Sequence, residues 1–187
     1  DKTDVYLTLI MEEVSRVEFL LSSLRSYTAF ERAKTEDVNI ISFLHDFERL
    51  VRADLEAQGI IFEIVDEGDL SPVRIDPRAL NQVLLNLVRN ACDALVDMDD
   101  RRVHIVAGNA GSRMRLVVRD NGVGMSQEHI DRLFLPFHTT KERGTGLGLV
   151  IAQKLVTEMG GHLHVKSERR RGTEVTVELS RAGATPC

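Results

Sequence analysis

Asn86-Leu87-Val88-Arg89-Asn90-Ala91, Asp120-Asn121-Gly122-Val123-Gly124, Phe134-Leu135-Pro136-Phe137 and Gly144-Thr145-Gly146-Leu147-Gly148 follow one another along the chain. Each block alone is weak, because Asp-Asn-Gly is a turn signal and a glycine triplet most often marks a loop. Their setting is more informative. Asp76-Pro77 opens a helix predicted to run to about Val96, with Asp as cap and Pro in the first turn, where its missing N–H costs nothing. On that helix Leu80, Leu84, Leu87, Ala91 and Leu95 share one face, and Gln82, Asn86, Arg89, Asn90 and Asp93 share the other. Alternation predicts strands over 102–107 and 114–119, joined as an antiparallel hairpin through Gly108-Asn109-Ala110-Gly111. A helix begins near Ser126, another runs over 147–159 to Gly160-Gly161, and strands follow over 162–167 and 173–179. Upstream, a helix over 40–57 ends at Gly59, with strands over 60–65 and 73–75. Helices grouped with a mainly antiparallel sheet make an α+β protein, a two-layer α/β sandwich, without internal repeats.

With 187 residues and 43% hydrophobic content, the chain has room for one ordinary domain and a small extra element. The extra element is a seam of Leu7, Ile10, Val14, Val17, Leu21, Leu24 and Thr28, spaced as in a long bundle or coiled-coil helix over residues 1–30. Such a face needs a partner, so we expect a homodimer through residues 5–28. Residues 31–39 read as a polar linker, 40–181 as the main domain and 182–187 as a polar tail. A net charge of −5 argues against general nucleic-acid binding, and Arg169-Arg170-Arg171 before Gly172 reads as a solvated turn. No apolar run is long enough to span a bilayer and no signal-peptide pattern is evident. Cys92 and Cys187 read as free thiols, which gives a cytoplasmic expectation for this part of a parent that itself can carry a membrane anchor.

The four blocks together have the chemistry of an ATP site. Amide side chains bind Mg²⁺ through oxygen and donate through nitrogen, so Asn90, with Asn86 one turn earlier, suits a metal–triphosphate complex. Asp120 follows a strand, and its carboxylate accepts from the amine of adenine but repels the carbonyl of guanine. Gly122 and Gly124 allow positive φ and leave space for a base to approach the backbone. Between Phe134 and Gly146 few apolar positions recur, as in a lid. Gly144, Thr145, Gly146, Leu147 and Gly148 surround a helix start, where free N–H groups favour phosphate. Without a Gly-Lys-Ser/Thr ending this is not a Walker loop.

In order and wording the blocks closely resemble the catalytic ATP-binding domain of bacterial sensor histidine kinases, the GHKL superfamily shared with gyrase, MutL and the mitochondrial dehydrogenase kinases. The resemblance covers roughly residues 38–180 and implies a Bergerat-type fold that uses ATP and Mg²⁺. It makes Asn90 the magnesium ligand, Asn86 a phosphate or metal-water contact, Asp120 the adenine acceptor, and Thr173 the threonine that reaches the same contact through water. Phe134 and Phe137 become anchors at the base of a lid carrying Thr139, Thr140 and Lys141. Many histidine kinases place a lysine three residues after the magnesium asparagine; this chain has Asp93, so cationic charge at the γ-phosphate falls to Lys141, Arg89 or Arg143. Pro136-Phe137-His138-Thr139-Thr140-Lys141 with the glycine block is similar to the nitrogen-regulation and dicarboxylate-sensing branch, although His138 replaces a common phenylalanine.

Superfamily ATPases usually carry a glutamate one turn before the magnesium asparagine to activate water. Asn86 stands there, and an amide cannot take the proton, which favours phosphoryl transfer over hydrolysis. Catalytic roles therefore fall to Asn86, Arg89 and Lys141, and the expected activity is protein-histidine kinase. Transfer needs an acceptor histidine. His45-Asp46 has an acceptor-like dipeptide but lies inside the expected catalytic domain without the proline-containing remainder, so it reads as a structural or surface histidine. The acceptor is then a histidine on a dimerisation helix outside this chain, and a response-regulator aspartate receives the group next. The competing classes are a nucleotide-binding interaction module without transfer and a weak GHKL-type ATPase.

Overall fold

The computed structural model describes residues 6, 7, 11, 34–68, 70–139 and 145–182. The seam read as a bundle helix, apart from helical Leu7, and most of the polar tail lie outside the described residues. Strand β1 (Glu36–Val38) is followed by helix α1 (Ile40–Ala57), β2 (Ile61–Asp66), β3 (Val73–Ile75), α2 (Pro77–Ala94), β4 (Arg102–Ala110), β5 (Arg113–Asp120), the short α3 (Gln127–Asp131), α4 (Gly148–Glu158), β6 (His162–Glu168) and β7 (Gly172–Ser180). A five-stranded sheet runs in the order β2-β4-β5-β7-β6, with β2 parallel to β4 and the other neighbours antiparallel. The expected α+β sandwich is the architecture observed.

Two readings need correction. Residues 36–38, read as linker, form β1 and pair antiparallel with β3, Val38 opposite Val73. Three residues with one partly buried apolar side chain are too short to show a period. The hairpin turn is also tighter than expected: β4 continues through Gly108 to Ala110, and only 111–112 turn, with Gly111 at φ 60°. Gly108 is a strand residue opposite Arg115, and a Cβ there would lie 2.2 Å from Glu67 Oε2. The missing side chain leaves room for Arg115 to reach Glu67 at 2.9 Å.

The core lies between one sheet face and the helices. Val103, Ile105 and Ala107 on β4, Met114, Leu116 and Val118 on β5, and Val175, Val177 and Leu179 on β7 point inward at alternate positions. They meet Leu44, Phe47, Val51 and Leu55 of α1, Leu80, Leu84, Leu87 and Ala91 of α2, and Ala152 and Val156 of α4. Outward positions are mostly polar and pair across strands, as His104 with Glu63 at 3.4 Å and Arg119 with Glu174 at 2.7 Å. Among the described residues no helix is long and apolar enough to cross a membrane.

Helix α2 begins as the sequence predicts. Asp76 Oδ1 accepts from the N–H groups of Arg78 and Ala79 at 2.9 and 3.2 Å, and Oδ2 accepts from Lys34 N–H at 3.0 Å. At the other end the Arg101 guanidinium donates to the carbonyls of Val96, Met98 and Gln58. These groups anchor the start of α2 and the segment that leaves its C-terminal end. Asp76→Ala should lower unfolding free energy by about 1–2 kcal/mol in urea titration, the size of a lost side-chain cap, while Asp76→Asn should retain most of it. Equal stability of the alanine variant and the parent would remove the cap from this role.

Candidate functional site

Asp120 ends β5, and its Oδ1 accepts from Gly122 N–H at 2.9 Å and from Thr173 N–H at 3.2 Å. The carboxylate thus joins its own turn to the start of β7. Asn121 accepts from Arg102 N–H at 2.8 Å and donates to Asp100 carbonyl at 2.9 Å, which aims the turn away from the sheet. Gly122 lies against the last turn of α2, where a Cβ would sit 2.5 Å from the Ala94 carbonyl oxygen, and Val123 N–H donates to that oxygen at 3.1 Å. Of the two glycines that allow positive φ, only Gly124 takes it, at 63°. Gly122 is required instead by close packing, which a sequence pattern does not distinguish from a turn. Gly124 meets the β6–β7 turn: its Cβ would be 2.0 Å from Glu168 carbonyl oxygen, and Arg170 N–H donates to Val123 carbonyl at 2.8 Å. The arginine turn is therefore attached to the Asp120 loop.

The other end of the site is Asn86. It is 5% exposed, and its Nδ2 donates to the carbonyl of Gly148, the first residue of α4, at 3.1 Å. A carbonyl only accepts, which fixes the amide's orientation. Asn86, Asn90 and Ala94 occupy successive turns of α2 on one stripe, so Gly148 and Gly122 meet the same helix two turns, about 12 Å, apart. Asn90 is half-buried between these two contacts, while Arg89 and Asp93 are exposed. The structure thus places Asn86, Asn90, Gly122 and Gly148 along one helix, and joins Asp120, Gly124 and Thr173 to its Gly122 end through the Asp120 loop and the β6–β7 turn.

The N-terminus of α4 has no side-chain cap from Leu147, which is 4% exposed and can meet a ligand only through its backbone. Thr145 Oγ1 accepts from Leu147 N–H at 3.3 Å. Gly146 closes the preceding segment: its Cβ would lie 2.6 Å from Phe137 carbonyl carbon and His138 nitrogen. Phe134 is half-buried, but Phe137 is not the packed anchor expected; it is 71% exposed and left-handed at φ 61°. Its backbone, not its ring, holds the position. Thr139 is exposed, and Thr140, Lys141, Arg143 and Gly144 lie outside the described residues. His45 is on the exposed face of α1, beside Asp46, which pairs with Arg49.

Sequence reasoning passed over Ser167. Its hydroxyl contacts Met125 N–H, Gly172 carbonyl and Thr173 Oγ1 at 2.8, 2.9 and 2.9 Å. The signal was present in β6, where Leu163, Val165 and Ser167 share one face and the last is polar.

Residues 75–183 match the model of histidine kinase-, DNA gyrase B- and HSP90-like ATPases. The chain belongs to this family. Sporulation kinase D of Bacillus subtilis is 32% identical over 186 residues, covering 96% of this chain and 35% of that protein. Two solved structures extend the likeness to nearly the whole chain. Full-length ShkA in complex with AMPPNP superposes with a TM-score of 0.80 at 27% identity, over 98% of this chain and 40% of that one. Histidine kinase ThkA in complex with response regulator protein TrrA superposes with 0.79 at 25% identity, over 95% of this chain and 51% of that one. The chain spans about a third of the length of the sporulation kinase. Sequence and fold agree on the catalytic domain type of the sensor histidine kinases.

Because Gly172 combines φ +90° with a Cβ position 1.9 Å from Asp120 carbonyl oxygen, Gly172→Ala should unfold the loop junction. Gly160 has φ +72° but open space around it, so Gly160→Ala isolates the conformational cost, about 1–2 kcal/mol. Urea titration should show the larger loss for Gly172→Ala; equal losses would mean the junction yields without cost.

Proposed function

We propose that this chain is the ATP-binding catalytic part of a sensor histidine kinase, and that it transfers the γ-phosphoryl group of ATP to a histidine on a dimerisation helix outside residues 1–187. What supports this reading is the α2 stripe, which meets the backbone of Gly122, beside Asp120, at one end and the uncapped start of α4 at Gly148 about two turns away. Gly148 tests the fit. Neither positive φ nor packing demands glycine there, since a Cβ would meet only Asn86, at an ordinary 3.9 Å. What the glycine leaves is an open approach to backbone N–H groups, which suits a phosphate.

ATP, bound with Mg²⁺, supplies the phosphoryl group. Asp120 receives the adenine amine, with Thr173 beside it and Gly122 and Gly124 forming the surface under the base. Asn90 supplies the amide oxygen for Mg²⁺, and Asn86 lines the phosphate end while its nitrogen holds α4 in place. Thr139, Thr140, Lys141, Gly144, Thr145, Gly146, Leu147 and Gly148 surround the phosphates, with charge from Lys141, Arg89 or Arg143. An amide at Asn86 removes no proton from water, so the outer phosphate is kept for a protein nucleophile. A response-regulator aspartate is the onward acceptor. Residues 1–30 form the second helix of the dimerisation hairpin, and two copies associate through 5–28.

Full-length parent protein incubated with γ-labelled ATP should acquire acid-labile phosphate, and Asp120→Asn should reduce both ATP affinity and labelling at least tenfold. Residues 1–187 alone should bind Mg-ATP and stay unlabelled. Label mapped to His45, or unchanged affinity in Asp120→Asn, would contradict the assignment.

A further inference from the structure

We propose that His162 and His164, with Glu178 beside them, bind a late first-row divalent cation of the Zn²⁺ class on the sheet face that points away from α2. This cation site is separate from the ATP wall and does not depend on it. Strand β6 lies at the edge of the sheet and pairs only with β7. Leu163 and Val165 pack toward the core, so the alternation of a strand turns His162 and His164 together to the outward face, where both are exposed. A slip of one residue would bury the histidines and expose the apolar pair, which holds the register. The two imidazoles are thus presented side by side, with ring centroids 6.4 Å apart and planes at 39°. Two imidazole nitrogens about 2.1 Å from one tetrahedral cation place their ring centroids roughly 5.4 Å apart. Closing on a metal therefore takes a shift of about 1 Å by exposed side chains.

A third ligand comes from β7. Glu178 stands opposite His162 in the ladder, so it shares the outward face with both histidines. Arg115 is its neighbour on the other side, yet that guanidinium donates to Glu67 at 2.9 Å. Among the described residues no hydrogen bond or ion pair engages the Glu178 carboxylate. Nor are three His, Cys, Asp or Glu side chains already gathered for a metal among those residues. The cation itself completes the shell by turning two exposed imidazoles and one half-buried carboxylate, with water in the remaining position. Such a set suits Zn²⁺, Ni²⁺ or Cu²⁺ and disfavours Mg²⁺, which takes oxygen ligands. Bound there, the cation joins β6 to β7 at the open end of their hairpin, whereas Ser167 and the Gly124 contact hold the turn end.

Calorimetry of residues 1–187 with ZnCl₂, in the absence of nucleotide, tests the site. The chain should bind Zn²⁺, and about a hundredfold excess of Mg²⁺ should not displace it. His162→Ala and His164→Ala should each weaken binding about tenfold or more, and Glu178→Gln about fivefold. His104→Ala, on the same sheet face beside Glu63, should leave the affinity unchanged. Zn²⁺ should also raise the urea midpoint of the parent and not that of His162→Ala, because the cation binds the folded hairpin. If His162→Ala does not fold without zinc, His162→Gln carries the same comparison. No binding by the parent, displacement by Mg²⁺, or unchanged affinity in any of the three ligand variants would overturn the proposal. An equal rise of the midpoint in His162→Ala would place the cation elsewhere and overturn it as well.

Discussion

Helix α2 holds two other segments, one of them through an approach closer than an ordinary side chain allows and the other through a buried amide, and the rest of the site depends on these two contacts. At its C-terminal end the Ala94 carbonyl needs the bare backbone of Gly122. Two turns earlier Asn86 is the buried polar side chain among the described residues, and it is satisfied by the Gly148 carbonyl. Between them, Asn90 stands on the same stripe. The apolar face of α2 fixes its depth through Leu80, Leu84 and Leu87, so any shift that loosened the glycine contacts would also disturb the core.

This coupling explains why a site made from distant segments stays ordered. Asp120 binds its own turn and β7 through one oxygen, Gly124 binds the β6–β7 turn, and Asn121 binds the segment leaving α2. Each bond contributes on the order of 1 kcal/mol, but they share partners and resist separation together. The Asp120 end is consequently held by backbone groups from several elements. The Asn86 end is held by one amide and one uncapped helix start. In the proposed function, selectivity belongs to the first end and transfer to the second.

Much of this organisation was legible in the sequence because it follows from simple periods. Leu80, Leu84, Leu87 and Ala91 identify the buried face of α2, and Asp76-Pro77 identifies its start. Other features depend on tertiary contact and leave weaker signs. Gly108 resembles a turn residue yet serves a strand, because its absent side chain accommodates the Arg115–Glu67 pair. The family resemblance makes Phe137 an anchor, but with its left-handed backbone the ring is exposed. Ser167 was overlooked because its hydroxyl is a junction whose partners, Met125, Gly172 and Thr173, are brought together only by the fold.

The most direct measurement of the central claim is an amide chemical-shift titration of residues 1–187 with a non-hydrolysable Mg-ATP analogue. The account predicts that the largest changes map to Asn90, Asp120, Gly122, Gly148 and Thr173, along both ends of the α2 stripe, with side-chain amide shifts at Asn86 and Asn90. Shifts confined to the outward sheet face around His104, Arg119 and Glu174, with the α2 stripe unchanged, would contradict it.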